Sequence, residues 1–468
     1  MLGADVRPKH PRDRRPRCTF APVAAEETAE RNGRAVAKLQ ALVRIPTVSN
    51  RDPALVDTDA FDRLLVELEH QFPLLHERLE LTRIPSHALL FRWSGASSER
   101  PVVLMAHLDV VPVEDSWRHP PFDGVVADGI IWGRGTLDDK GCVVAICEAV
   151  EALLAAGHVP AQDVWLSFGC EEEVSPAAAT LAVDELERRG VRPWFVLDEG
   201  GAVAADAFPG VAAPVGVIGV TEKGVTSVEL RVEGRGGHAS TPARMAPTAR
   251  LARAITRIDR SPMSAAVPEP TVELLRRLAP HAPLVLRPVL ANAGRLGPVL
   301  ARALIAAGPE TAAMTRTTFA VTTLSGSPAL NVVAATAKAG VNIRVMVGDT
   351  VAGVLDHLRK VIADDQVHID VLERNEPSPL SPRDDAFALL ESTIGELFPD
   401  AVPAPYVMMA TTDSRHFTRI CDRVYRFAPF RMTKAQRESI HSYDEHLGVD
   451  AFLDGIRWYR RLIEALPR

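Results

Sequence analysis

The sequence predicts an α/β fold in two parts, a larger domain with a buried, largely parallel sheet and a smaller α+β domain inserted into it. The chain has 468 residues, and a single hydrophobic core stops growing near about 250–300 residues. Short apolar runs alternate with segments of helical periodicity in the first part of the chain, which is typical of a parallel sheet covered on both faces. Later segments alternate apolar and polar side chains, as half-solvated strands do.

The first part of the chain contains the alternating elements. The apolar spacing predicts helices over 26–44, 61–81, 141–156 and 177–189. Apolar runs predict strands over 88–93, 101–111, 125–132, 164–168 and 194–197. Gly157 directly follows the third helix, and glycine is favoured just past a helix C-terminus. This order predicts one buried sheet with helices between its strands.

The pattern changes near Thr221. Residues 227–233 and 337–347 alternate apolar and polar side chains, and residues 245–320 are rich in Ala, Arg, Leu and Pro with helical spacing. We therefore predict an inserted domain over residues 222–348, within a larger domain made of residues 31–221 and 349–468. A helix over 350–363, a strand over 367–372 and a helix over 449–466 belong to the larger domain in this prediction. No motif in residues 262–320 can be interpreted.

Composition excludes several classes of protein. The net charge of −7 and pI near 6.1 argue against nucleic acid as the main partner. No apolar run approaches the roughly 18 residues of a membrane span, and the basic, Pro-rich N-terminus lacks the apolar core of a secretory signal. We expect residues 1–30 to be a disordered tail. The five cysteines are scattered, without a CxxC pair, which favours reduced thiols in a cytoplasmic protein. The lack of a long apolar run predicts no membrane partner.

His107-Leu108-Asp109 ends one of the predicted apolar strands. Side chains two residues apart on a strand point the same way, so Asp109 could hold the His107 imidazole. A carboxylate that binds a metal-bound imidazole fixes its tautomer and raises its basicity. Open α/β sheets bind ligands at the carboxyl ends of their strands. A surface histidine beside an aspartate is the alternative interpretation.

A loop with glycines around the acidic pair Asp138-Asp139 precedes the third helix. Its spacing matches neither GxGxxG nor GxxxxGK[ST], so a nucleotide-binding loop fits poorly. Glu171-Glu172-Glu173 follows the strand over 164–168, and three adjacent carboxylates need a cation or protons to lie inside a cleft. Without a ligand, the two segments would be a solvated loop and an exposed acidic turn.

Two more groups complete the set. Asp198-Glu199 ends another apolar strand, and His441 begins the segment His441-Ser442-Tyr443-Asp444-Glu445. Each group is ambiguous by itself, but three strands of one sheet then end in histidine or carboxylate. Zinc binds His nitrogen and Asp or Glu oxygen, and two zinc ions about 3.5–4 Å apart need a bridging carboxylate. The combination predicts a two-metal hydrolytic site.

These five motifs, in this order, resemble the M20 family of metallopeptidases and amidohydrolases from about residue 31 to the C-terminus. The strings FGCEEEVS, VLDEGG and TTDSRHF resemble most the branch of carboxypeptidase S and N-acyl-amino-acid hydrolases. The resemblance implies a zinc-peptidase-like α/β catalytic domain and an inserted lid, which mediates dimerisation in some relatives. A homodimer through the lid is therefore an expectation.

The resemblance also implies the roles of the site residues. His107 and Asp198 would bind one metal ion, Glu173 and His441 the other, and Asp138 both. Glu199 is the alternative to Asp198, and Glu171 has no assigned role. Asp109 would orient His107, and Glu172 would be the general base. The peptide between Asp138 and Asp139 is expected to be cis, as in relatives. The implied cofactor is two Zn²⁺, with Co²⁺ or Mn²⁺ able to fill the same ligands.

Further matches lie in and near the inserted domain. His238, in Gly-Gly-His-Ala-Ser, resembles a lid histidine that stabilises the charge developing on the substrate oxygen. Asn331, Arg344 and Arg415 resemble substrate-binding residues. Ala334 stands where relatives often have Pro. Arginine suits a carboxylate because it can donate two parallel hydrogen bonds. The expected function is therefore hydrolysis of N-acyl amino acids or small peptides with a free carboxylate. A dipeptidase or carboxypeptidase of the same mechanism, and a non-catalytic amino-acid-binding protein, are the alternatives.

Overall fold

The computed structural model describes residues 21–114, 116–174, 177–208 and 210–468. The predicted disordered tail over 1–30 therefore lies partly outside the described residues. Its last ten residues do not fit the prediction, because helix α1 begins at Ala21. Within the described residues, no helix combines the length and the apolar character that a membrane crossing requires.

The strands of the described chain run from residue 80 to residue 448. They are β1 Glu80–Ile84, β2 Ala88–Trp93, β3 Ser97–His107, β4 Val125–Ala127, β5 Ile130–Trp132, β6 Gln162–Gly169, β7 Phe195–Asp198, β8 Ala202–Ala204, β9 Val215–Glu222, β10 Gly224–Glu233, β11 Gly237–His238, β12 Thr318–Ser325, β13 Val332–Val333, β14 Thr336–Val345, β15 Val367–Asn375, β16 Val402–Met408, β17 Val424–Arg426, β18 Arg431–Met432 and β19 His446–Gly448.

The helices are α1 Ala21–Val43, α2 Thr58–Gln71, α3 Pro73–Arg78, α4 Lys140–Ala155, α5 Ala177–Arg188, α6 Pro247–Arg260, α7 Glu269–Leu278, α8 Arg287–Ala291, α9 Gly297–Ala307, α10 Pro309–Ala313, α11 Val351–Ile362, α12 Asp385–Leu397, α13 Lys434–Ser439 and α14 Val449–Glu464. The single helix predicted over 61–81 is wrong. Pro73 starts a new helix there because proline is tolerated in a first turn but not in a helix interior, and the chain then enters β1.

The main sheet contains ten strands in the order β1-β2-β6-β3-β7-β17-β9-β8-β18, with β16 paired to β9. Its centre, β6-β3-β7-β17, is parallel. The flanking pairs β1/β2, β2/β6 and β8/β9 are antiparallel, so the sheet is less uniformly parallel than predicted. The short turn between β1 and β2 requires an antiparallel pair, since parallel neighbours need a long crossover.

Strand β3 shows how the main sheet is covered on both faces. Val102 and Leu104 pack into a core that includes residues of α1, α4 and α14. Val103 and Met105 point the other way, into a core with residues of α5. Successive side chains of a strand alternate between faces, so an uninterrupted apolar run is what this position requires. Because β3, β6 and β7 are parallel and in register, their carboxyl ends meet at one edge of the sheet.

The lid, as we define it, is the antiparallel sheet β12-β14-β10-β15 with helices α6 and α11. Strand residues such as Val228 and Ile343 share a core with Leu251 of α6 and Leu358 of α11. The predicted boundary at residue 348 falls inside this unit, which continues through α11 to the end of β15. The apolar face of α11 is buried by the lid sheet, and β15 pairs with β10.

One part of the predicted inserted domain packs elsewhere. Leu274 and Leu278 of α7 share a core with Val215 and Val217 of β9 and Ala404 of β16, which are strands of the main sheet. The segment 262–320, which had no interpretable motif, therefore includes a helix that covers the larger domain. Its amphipathic pattern is visible in the sequence, but the surface that it faces is not.

Candidate metal centre

His107 is the last residue of β3, and its side chain is buried. The Nε2 atom lies 2.8 Å from Oδ1 of Asp138. On the other side of the ring, Nδ1 lies 3.0 Å from the main-chain oxygen of Asp109 and 3.4 Å from its carboxylate Oδ1. Both ring nitrogens are therefore directed, one toward the acidic centre and one toward Asp109.

Asp109 has a role that the sequence did not indicate. Its Oδ1 accepts a hydrogen bond from the amide of Glu172 at 3.2 Å, and its Oδ2 accepts one from the amide of Glu173 at 3.2 Å. The buried Asp109 carboxylate thus holds the backbone of the acidic segment that follows β6. Its predicted role of orienting His107 involves its main-chain oxygen more closely than its carboxylate.

Asp138 lies between two histidines. Its Oδ1 is close to His107, and its Oδ2 lies 2.9 Å from Nε2 of His441. His441 Nε2 is also 3.0 Å from Oε2 of Glu173. The Asp138–Asp139 peptide is cis, as predicted. His107, Glu173 and His441, which are 31, 35 and 303 positions from Asp138 along the chain, are thereby brought together around its carboxylate.

Asp198 ends β7 at the same edge of the sheet. Its Oδ1 accepts a hydrogen bond from the amide of Glu199 at 2.9 Å, and its Oδ2 accepts one from the amide of Ser414 at 2.9 Å. Each carboxylate oxygen keeps a second lone pair for another partner. Glu199 is more exposed than Asp198; burial raises its pKa well above the ordinary value, and the charges of Asp138 and Asp198 raise it further. The geometry leaves both residues as candidates.

Burial and crowding control the electrostatics of the centre. Burial raises the pKa of Glu172 well above its ordinary value, and the charges of Asp413, Glu173 and Asp138 raise it further. Burial likewise raises the pKa of Glu173. Hydrogen bonds to Asp138 and Glu173 raise the pKa of His441 to about 10. Several carboxylates thus lie so close together that protons or cations are needed to balance them.

The donor set fits divalent cations. Among the described residues, one atom each from His107, Asp138 and Glu173 lie within 4.8 Å of one another. His441 contacts two members of this group. Imidazole nitrogen and carboxylate oxygen are the ligand types of catalytic zinc sites. A partly buried cluster of this composition can bind metal ions and position a carboxylate beside them, which is the arrangement of a hydrolytic centre.

Two predicted residues of the inserted domain, His238 and Asn331, lie apart from this group. His238 of β11 is exposed, and its Nδ1 lies 2.7 Å from Oγ of Ser240. Asn331 is also exposed, and its main-chain oxygen accepts a hydrogen bond from Ala239 at 3.0 Å. The structure brings His238 and Asn331 together, but none of the hydrogen bonds or ion pairs in the described part of the chain joins them to the acidic centre.

Two arginines lie near the junction of the lid and the main sheet. Arg344 of β14 is half-buried; burial lowers its pKa, and the positive charge of Arg415 lowers it further. Arg415 donates a hydrogen bond from Nη2 to the main-chain oxygen of Glu376 at 2.9 Å. Lys223 is a third cation in this region, and its pKa is lowered by burial and by the charge of Arg344. This positively charged group is suited to an anionic part of a ligand.

Sequence reasoning assigned no role to two buried acidic residues near the centre, Asp413 and Glu445. Asp413 is buried, and burial together with the charges of Asp198 and Asp109 raises its pKa well above the ordinary value. Glu445 is buried against the loop that carries Asp138. Asp413 lies in the string TTDSRHF, and Glu445 lies four residues after His441, so nearness to recognised motifs was the available signal.

Comparisons with known proteins agree with this geometry. Residues 103–465 match the model of peptidase family M20/M25/M40. The chain is 35% identical over 423 residues to probable carboxypeptidase S-like 2 of Dictyostelium discoideum, covering 87% of this chain and 81% of that protein. It is 36% identical over 388 residues to the human N-fatty-acyl-amino acid synthase/hydrolase PM20D1, covering 81% of this chain and 77% of that protein.

A solved structure shows the same fold at low sequence identity. The crystal structure of the M20 family metallo-carboxypeptidase Sso-CP2 from Sulfolobus solfataricus superposes with a TM-score of 0.67 at 17% identity. The match covers 92% of this chain and 98% of that one. The likeness therefore extends over both the main sheet and the lid.

Proposed function

The chain belongs to peptidase family M20/M25/M40, and from this we propose that it is a two-metal hydrolase of amide bonds next to a free carboxylate. The family makes it a metal-dependent hydrolase. The observation that carries the finer proposal is the convergence of His107, Asp138, Glu173 and His441, with Asp138 within 2.9 Å of both histidines. N-acyl amino acids are the proposed substrates.

Two Zn²⁺ ions are the proposed cofactors. His107 and Asp198 would hold one ion, Glu173 and His441 would hold the other, and Asp138 would bridge them; Glu199 is the alternative to Asp198. Co²⁺ or Mn²⁺ could fill the same nitrogen and oxygen ligands, since selectivity among these metals depends on geometry and supply more than on raw affinity. When bound, such ions make hydroxide available near neutral pH and polarise the substrate carbonyl.

Glu172 is the proposed general base and acid. Its backbone is held by Asp109, and its partly buried carboxyl lies near the charges of Asp138 and Glu173 without belonging to the group of atoms that lie within 4.8 Å of one another. Burial raises its pKa, which is the shift that allows a carboxyl to accept and return a proton near neutral pH. Glu172 would take a proton from the attacking water and deliver it to the leaving amine.

Arg344, Asn331 and Arg415 would bind the substrate's carboxylate. Arg344 is half-buried near two other cations, so an anion there would be partly shielded from water and strongly attracted. His238 would donate a hydrogen bond to the carbonyl oxygen as negative charge develops on it, an interaction worth about 10²–10³ in rate. Because His238 is exposed, this role requires closure of the lid or a second copy of the chain, and we retain the homodimer as a proposal.

Two relatives favour different substrates within this reaction. The human relative is named as an N-fatty-acyl-amino acid synthase/hydrolase, and the Dictyostelium relative as a probable carboxypeptidase. Both substrate classes present an amide beside a carboxylate. We favour N-acyl amino acids and keep the carboxypeptidase or dipeptidase as the second candidate. A non-catalytic amino-acid-binding protein is the remote alternative, disfavoured because no predicted ligand or base is missing from the sequence.

The experiment is hydrolysis of a substrate panel by protein reconstituted with Zn²⁺ or Co²⁺. The panel contains N-acetyl and long-chain N-acyl amino acids, N-blocked dipeptides and free dipeptides. A higher kcat/KM for N-acyl amino acids supports the first proposal, and a preference for dipeptides supports the second. Binding of these compounds without turnover of any of them would support the non-catalytic amino-acid-binding protein instead. Cell fractionation would test the predicted cytoplasmic location separately.

A further inference from the structure

A buried ion pair joins the loop that carries Asp138 to the loop that carries His441. Arg134 donates a hydrogen bond from Nη1 to Oε2 of Glu445 at 2.6 Å, and the side chains of Arg134 and Glu445 are 3% and 0% exposed. Arg134 also donates from Nη2 to the main-chain oxygen of Ser442 at 2.7 Å. One guanidinium therefore binds two points of the loop that begins with His441.

The other oxygen of Glu445 binds the Asp138 loop directly. Oε1 accepts hydrogen bonds from the amides of Gly135 at 3.1 Å, Leu137 at 2.8 Å and Asp138 at 3.1 Å. The amide of Gly133 donates to the main-chain oxygen of Glu445 at 2.9 Å. The carboxylate thus has both oxygens occupied, and three of its four side-chain hydrogen bonds hold the backbone immediately before and at Asp138.

These contacts join the two loops without placing either side chain among the possible metal ligands. Neither Arg134 nor Glu445 belongs to the group of possible ligand atoms in the described residues. Both connect the backbones on which Asp138 and His441 stand. His441 has a positive φ of 59° and a side chain that is 52% exposed, so little packing around the imidazole itself restricts its position. The loop must be held from elsewhere.

We propose that Arg134 and Glu445 form a positioning clamp that sets the separation of Asp138 and His441 and so the affinity of the cation held by Glu173 and His441. This inference rests on the proposed function, because it presupposes that the centre binds a pair of divalent ions. Side chains that hold metal ligands in place without contacting the metal typically change metal affinity by about 10–100-fold when they are replaced.

The test compares Glu445→Gln with the wild-type protein by titration with Zn²⁺ against a competing chelator. The glutamine keeps the shape of the side chain, but its NH₂ must face either the Arg134 donor or the three backbone amide donors, so one side of the clamp is lost. We expect the wild type to bind two ions, and the variant to bind the ion held by Glu173 and His441, here called the second ion, about 10–100-fold more weakly. In Co²⁺-loaded protein, the visible absorption of the second ion should change, which a role in folding alone would not cause.

Glu438→Gln is the matched control, because Glu438 is an exposed residue of α13 three positions before His441, in an ion pair with Lys434. It should bind both ions as the wild type does. Thermal unfolding of each variant reports on the fold. If Glu445→Gln does not fold, Arg134→Lys serves instead, since it keeps the charge but cannot reach both Glu445 and Ser442, and it should weaken the second ion in the same way.

The outcomes separate the clamp from the proposed function. A wild-type protein that binds fewer than two ions refutes the two-metal proposal. A wild type that binds two ions, together with a folded Glu445→Gln or Arg134→Lys protein that binds both within twofold of it, overturns the clamp and leaves the proposed function standing.

Discussion

Replacement of Glu172 by glutamine tests the mechanism most directly. The change removes the carboxylate that would move the proton, and it keeps the size of the side chain and the backbone amide that donates to Asp109. Glu172 is outside the group of three possible metal ligands. We therefore expect Glu172→Gln to bind the same number of metal ions as the wild type and to lose turnover.

The expected magnitude follows from what a positioned acid–base group contributes. Such a group is worth about 10²–10⁴ in rate, and each factor of ten corresponds to about 1.36 kcal/mol of activation free energy. The fall in kcat should therefore correspond to a rise of about 2.7–5.4 kcal/mol in activation free energy. KM should change little, because the residues proposed to bind the substrate carboxylate lie elsewhere, in β14, directly before β13 and in the 3-10 helix Asp413–Arg419.

The assay measures kcat, KM and bound metal for the wild type, Glu172→Gln and Glu171→Gln. Glu171 is the adjacent carboxylate of the same acidic segment and has no assigned role, so its variant should keep normal turnover. If Glu172→Gln retains kcat within tenfold of the wild type, the assignment of the base is wrong. If it loses a metal ion, Glu172 is a ligand instead.

Three further predictions concern the ligands and the substrate. Either Asp198→Asn or Glu199→Gln should lower the bound zinc from two ions to one. Metal analysis of the two variants identifies which residue is the ligand. If both variants still bind two ions, neither residue is a metal ligand. Arg344→Ala should raise KM by about 10–100-fold with little loss of metal, because a hydrogen bond to a charged group contributes about 1.5–3 kcal/mol. Arg374→Ala, at an exposed position of the edge strand β15, should leave KM unchanged. Zinc affinity should rise with pH between 6.5 and 8.5 by about tenfold per pH unit for each proton released. Hydrogen bonds raise the pKa of His441 to about 10, so the cation must displace the proton of that imidazole. A zinc affinity that does not change with pH in a chelator competition would contradict this.

The sheet and its metal-binding edge could be predicted because they follow from local patterns. An apolar run that ends in His107 or Asp198 identifies a buried strand and the residue at its carboxyl end. Parallel strands then bring these ends together whatever the order of the sheet. The alternating pattern of β10 and β14 likewise predicted a half-covered sheet, as the lid has.

The remaining features depend on contacts that a local pattern does not contain. The two-residue period of a strand predicted that Asp109 lies beside the His107 ring, and its carboxylate Oδ1 does lie 3.4 Å from Nδ1. The period gave no sign that the same carboxylate also binds two amides of the segment after β6. In the same way, the amphipathic face of α7 predicts burial without saying that the burying surface is β9 and β16 of the main sheet.

The position of each proposed ligand determines how much support it needs. His107 and Asp198 end strands whose backbones are already fixed by hydrogen bonds to neighbouring strands, so their side chains start from a rigid base. Asp138 and His441 stand on irregular loops, where no ladder of hydrogen bonds fixes the backbone. Metal affinity depends on the separation of ligands to within a fraction of an ångström, so loop ligands must receive equivalent restraint from side chains. The buried carboxylate of Glu445, with its three amide donors, supplies for the Asp138 loop what the neighbouring strands supply for β3 and β7.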